Sequence, residues 1–210
     1  MDPDPSGGAP APTALASLQR FLRPRVVRER CALCGTDLAD AHSHLVEPAS
    51  RQLSCACEAC ALLFSGGAET RYRRVPRRLD YLGGFQLSDA AWEGLNLPIN
   101  LAFFFQSTPA GGVVALYPSP AGATEAPVAE SAWEELVAAN PILRRFEPDV
   151  EGLLVNRVDE ARECYRVGLD ECFRLVGLIR LHWRGLSGGA AVWDEINRFF
   201  VDLKGRASDA

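Results

Sequence analysis

Two Cys-x-x-Cys turns, Cys31-Ala-Leu-Cys34 and Cys57-Glu-Ala-Cys60, constrain this chain more than any other feature of its sequence. A Cys-x-x-Cys turn followed by glycine, here Gly35, aims two thiolates at one point. Two such turns can close a tetrahedron of sulfur around a single ion, the usual form of a structural zinc site. The candidate ligand set is Cys31, Cys34, Cys57 and Cys60, spaced C-x2-C-x22-C-x2-C, slightly longer than the usual zinc-ribbon window. Cys55, His42 and His44 lie inside the same segment and stand as alternates for one of the four. An iron–sulfur cluster would use the same thiolates, so iron–sulfur remains the second cofactor assignment beside zinc.

The segment needs such help to fold. Between Gly35 and Ser54 the apolar material is little more than Leu38, Leu45, Val46 and Leu53. A bound ion can supply on the order of 10 kcal/mol of folding free energy to a small unit of this kind. Five of the seven cysteines crowd into Cys31 to Cys60. In a chain with no export signal, that crowding favours metal over disulfides. Cys164 and Cys172 sit at apolar positions and read as buried structural thiols.

Charge and composition mark a boundary. Up to Asp80 there are eleven arginines against nine acids, a net +2, whereas the remainder carries −7. The expected organisation is a tail over 1–13, a helix plus Cys-rich metal-binding unit over 14–80, an α+β domain over 81–205 and a tail over 206–210. The opening residues are rich in Pro, Gly and Ala and have no hydrophobic run like that of a secretory signal. The most apolar stretch, Leu97 to Phe105, is well short of the roughly 20 residues a membrane-spanning helix needs. A soluble, cytoplasmic protein without membrane insertion is expected.

Periodicity fills in the elements. Leu15, Leu18, Phe21 and Leu22 fall at helical spacing before Pro24. Arg71 to Arg78 reads as a strand or extended linker. Ser88 can cap a short helix bearing Trp92 and Leu95. Ile99–Phe105 and Val113–Tyr117, joined through Thr108-Pro-Ala-Gly-Gly112, read as a β-hairpin. Ser131 is the expected cap of a helix reaching Asn140. Gly152–Val158 and Cys164–Leu169 form a second strand pair. Asp170 is the expected cap of a buried helix over Glu171–Trp183. Trp193, Ile196, Phe199, Phe200 and Leu203 lie on one stripe of a last helix. The fold class is therefore α+β: a small N-terminal Cys-rich zinc knuckle followed by an antiparallel sheet packed with helices.

No catalytic residues emerge. Only three histidines are present, two of them beside the cysteines, and His182 lies in an apolar helix. Arginine clusters at Arg20–Arg30 and Arg71–Arg78 suggest a nucleic-acid surface, but the sequence pI of about 5.3 argues against one. The loops Tyr117–Glu125 and Ser187-Gly-Gly189 lack the length and lysine of a phosphate-binding loop and read as turns.

The succession of Cys31-Ala-Leu-Cys34-Gly35, His42-Ser-His44-Leu-Val46, Cys55-Ala-Cys57-Glu-Ala-Cys60, Arg71-Tyr-Arg-Arg-Val-Pro76, Phe103-Phe-Phe105, Ala115 through Glu125, Leu175 through Arg180 and Trp183 through Gly189 resembles an uncharacterised bacterial family. The resemblance runs from Arg30 to Leu203. That family is a domain of unknown function often encoded beside nickel–iron hydrogenase genes. The resemblance implies a hydrogenase-associated accessory role with a protein partner, and it supplies no active site.

Overall fold

The computed structural model describes residues 29–67, 70–185 and 188–210. The expected tail over 1–13 and helix over 14–22 lie outside them. Two sheets organise the rest. A three-stranded sheet is formed by β1 (Ser43–Glu47), β2 (Gln52–Ala56) and β3 (Arg73–Arg74), in the order β2-β1-β3. Helix α1 (Glu58–Ser65) follows β2 directly.

The larger sheet contains β4 (Leu79–Tyr81), β5 (Leu101–Ser107), β6 (Gly112–Ser119), β7 (Gly122–Ala126), β8 (Glu151–Asn156), β9 (Glu163–Gly168) and β10 (Ser208–Asp209). Their order is β10-β4-β9-β8-β5-β6-β7, antiparallel except for the β10–β4 pair. Both faces are covered. Helices α4 (Leu169–His182) and α5 (Ala190–Arg206) pack on one, burying Leu175, Ile179, Ile196, Phe199 and Leu203. On the other lie α2 (Asp89–Gly94), α3 (Glu130–Ala139) and a 3-10 turn at Pro141–Arg145, which bury Trp92, Trp133, Leu136 and Leu143.

This arrangement explains the unbroken apolar run in β5. Successive strand side chains point to opposite faces. Leu101, Phe103 and Phe105 accordingly enter one core, and Ala102 and Phe104 the other. The expected α+β class is thus observed, with both strand pairs in antiparallel register (Phe103↔Leu116, Leu154↔Tyr165). Among the described residues, no helix is long and apolar enough to cross a membrane.

Several local expectations need correction. Ser88 does cap α2, accepting from the Ala91 amide at 3.1 Å. Ser131, however, is already helical: α3 starts at Glu130 and its cap is Ala129. Asp170 likewise lies within the first turn of α4, capped by Gly168, and its carboxylate is engaged elsewhere. Part of the segment read as a loop, Tyr117–Glu125, instead forms the β6–β7 hairpin. Ser208–Asp209, read as tail, pairs with β4. Of the four tryptophans assigned to the core, Trp92 and Trp133 are buried, but Trp193 is 41% exposed.

The two sheets meet through a small apolar cluster of Val46, Val75 and Val150 and a series of ion pairs. Arg73 reaches Glu147 at 2.9 Å, Arg51 reaches Glu125 at 2.7 Å, and Arg78 reaches buried Glu151 at 3.5 Å. Much of the Arg71–Arg78 cluster is therefore committed to carboxylates of this chain. Arg71 pairs with Glu47 and Arg74 with Glu58.

Candidate metal centre

The four expected sulfur atoms converge. Cys31 and Cys34 sit in a tight turn closed by the Cys31 amide donating to Thr36 at 2.9 Å and the Gly35 amide donating to Cys31 at 2.8 Å. Gly35 takes the left-handed φ of +75° that this turn requires, a conformation costly for a residue with a Cβ. The arms of the turn are held by Arg30, which bridges to Asp37 at 3.1 Å.

The second pair is set by a change of secondary structure. Strand β2 ends at Ala56, and Cys57 becomes the cap of α1, its sulfur accepting from the Cys60 amide at 3.5 Å. Cys60 then falls in the first helical turn, so both sulfurs lie at the N-terminal end of α1. Ser43 and Arg74 fasten the same turn by donating to Glu58 at 2.8 Å each.

The result is a group in which the sulfurs of Cys31, Cys34, Cys57 and Cys60 all lie within 4.8 Å of one another. Cys34 and Cys57 are 3.7 Å apart. Four sulfurs at the zinc–thiolate distance of about 2.3 Å define a tetrahedron with edges of about 3.8 Å, so this separation suits a single ion. Cys31 and Cys60 are buried against Leu45, Ala56 and Ala61. Burial raises the Cys31 thiol, but amide hydrogen bonds from Cys57, Cys34 and Leu33 outweigh it and bring the group to about 6. Burial and the neighbouring sulfurs push Cys60 to about 12. Four such thiols cannot all ionise together unaided, whereas a divalent cation at their centre would compensate the charge.

The alternates do not join this group. His42, His44 and Cys55 form a second cluster, one donor atom of each lying within 4.8 Å of the others. Cross-strand register puts them together, since His44 pairs directly with Cys55 and His42 precedes it by two positions. Alternation along the strands places His44 and Cys55 on one face of the hairpin and Leu45 and Ala56, packed on Cys31 and Cys60, on the other. The spacing of the sequence motifs contains this arrangement only once the β1–β2 register is known.

Cys164 and Cys172 are 6% and 0% exposed. Burial raises Cys164 to about 12 and pushes Cys172 well above the ordinary thiol range, so both are inert structural thiols. A cleft of about 610 Å³ lies between the larger sheet and its helices, lined by Ile99, Tyr117, Asp159, Trp183, Trp193 and Ile196 among others. His182 is not part of it; its Nδ1 donates locally to the Leu178 carbonyl at 3.0 Å.

Residues 30–207 match the profile of DUF5947, a family of unknown function, and the chain belongs to that family. No curated protein and no solved structure matches it.

Proposed function

We propose that this member of the DUF5947 family is a non-catalytic, metal-stapled accessory protein in which Cys31, Cys34, Cys57 and Cys60 hold one zinc ion. In this reading the ion fixes the knuckle and α1 as a docking unit extending to about residue 80, where the α+β domain begins with β4; that domain closes with β10 at Ser208–Asp209. The observation that carries the reading is the convergence of four thiols within 4.8 Å, with one pair at a tetrahedral edge length. Four sulfur ligands leave zinc no open position, which suits a structural role rather than a catalytic one.

The residues just beyond the last ligand support the docking role. Leu62, Leu63 and Phe64 of α1 are 62%, 76% and 46% exposed, three consecutive large apolar side chains immediately after Cys60 and Ala61. A contiguous apolar patch of this kind fits a protein partner better than nucleic acid. The arginines near it are already paired with Glu47, Glu58 and Glu147. The hydrogenase connection rests on the family resemblance. Deleting the gene in a native host should impair hydrogenase assembly; unchanged assembly and activity would remove that part of the reading.

A second reading, a mononuclear iron–thiolate electron carrier, is favoured by the same tetrahedral spacing. A multi-iron cluster fits less well, because its irons and sulfides would hold the thiolates further apart. Anaerobic purification from the native host, with metal analysis and an absorption spectrum, separates the readings. Zinc, no visible band and loss of that ion in Cys34→Ser are expected. Iron with a strong visible band would transfer the conclusion to electron transfer.

A further inference from the structure

We propose that His42, His44 and Cys55 form a second metal site, separate from the four-cysteine cluster, that takes a borderline divalent ion such as zinc and leaves a coordination position open. His42 Nδ1 lies 2.9 Å from the Ala39 carbonyl, which can only accept, so Nδ1 carries the proton. His44 Nδ1 lies 2.8 Å from Asp170 Oδ2, and the carboxylate assigns the proton in the same way. Each ring therefore keeps its Nε2 lone pair for a ligand. Metal-binding histidines are held like this, with the distal N–H on a carbonyl or carboxylate fixing the tautomer and raising ligand basicity.

The second observation is an unmatched lone pair. The His42 side chain is 7% exposed, and its Nε2 is buried without a hydrogen-bond partner. A buried acceptor left unmatched is costly, so a native site normally fills it. Glu29 Oε2 approaches that nitrogen at 3.4 Å without making a hydrogen bond, and its side chain is 61% exposed. An ion pair with protonated His42 is the rival explanation. It would account for one ring, but not for donor atoms of His42, His44 and Cys55 all lying within 4.8 Å of one another. The two rings lie 4.8 Å apart, centroid to centroid, at 68°.

Two imidazoles and a thiolate are a donor set for zinc or another borderline ion. Three protein ligands with a free fourth position differ from the closed shell expected of four cysteines. The positioning group also comes from far away. Asp170 is 126 residues from His44 and belongs to the first turn of α4, so an ion here would be braced by the larger sheet's helix layer.

Native mass spectrometry of the full chain titrated with Zn²⁺ tests this. The wild type is expected to bind two ions, and His42→Ala and Cys55→Ser one each. Cobalt substitution should show an unchanged four-thiolate spectrum in both variants, which also reports that the knuckle is folded. Cys34→Ser, which unfolds the hairpin that carries both sites, should lose both ions, whereas His42→Ala and Cys55→Ser keep the four-thiolate ion, so failure of the two sites is read separately. Asp170→Asn, a positioning change, should weaken one of the two ions by about 10–100-fold in a chelator competition. The Nε2 resonances of His42 and His44 should shift on loading the second zinc. Saturation of the wild type at one ion, or rings unmoved at saturating zinc, would overturn the proposal. So would equal affinities for Asp170→Asn and wild type.

Discussion

Single residues divide the seven cysteines by chemistry. Five sit in two clusters open to ions, and two sit in the main core, where burial raises Cys164 to about 12. Alkylation of chelator-treated protein near neutral pH, with the knuckle opened and the larger sheet still folded, should therefore modify cysteines between Cys31 and Cys60 and spare Cys164 and Cys172. Labelling of either core thiol at the same rate would contradict their placement. The four-sulfur set was legible from Cys-x-x-Cys spacing alone, because two turns fix four donors locally. The His42–His44–Cys55 group was not, because it depends on strand register and on an aspartate 126 positions away. Asp170 looked like a helix cap for the good reason that Asp favours caps. Gly168 takes that place, and a Cβ there would lie 2.6 Å from both Asp170 Oδ1 and the Pro76 carbonyl. Gly168→Ala should thus displace Asp170 and lower affinity at the second site while leaving the four-cysteine ion in place. The same chelator competition checks it.

Among the elements, the long apolar strands and helices were readable and the short polar ones were not. Leu101–Ser107 announced itself by hydrophobicity, and its two-faced burial comes from helices on both sides. Phe103→Ala, at a fully buried position, should cost about 3–5 kcal/mol in denaturant unfolding of the main domain. A loss under about 1 kcal/mol would mean the strand is not packed as described. By contrast, β1, β2 and α1 are five, five and eight residues long, too short for periodicity to register. Their stability is expected to come from the ion. Cys34→Ser or chelation should unfold the knuckle, hairpin and α1, seen as loss of amide protection between residues 31 and 65. The larger sheet should retain its protection.

In the whole molecule, the charge asymmetry found in the sequence reappears as contact between the two sheets. Arg51, Arg73 and Arg78 meet Glu125, Glu147 and Glu151, so the basic first part and acidic second part partly neutralise one another. The arginine clusters alone could not tell this internal pairing from a nucleic-acid surface, since the partners are remote in sequence. On the proposed reading Cys31, Cys34, Cys57 and Cys60 bind one ion. Zinc-edge X-ray absorption on the Cys55→Ser variant, in which the second site is removed, reports the shell of that ion alone. A shell of four sulfurs at about 2.3 Å with no neighbouring metal is the predicted result. A shell containing nitrogen or oxygen, or fewer than four sulfurs, would contradict it.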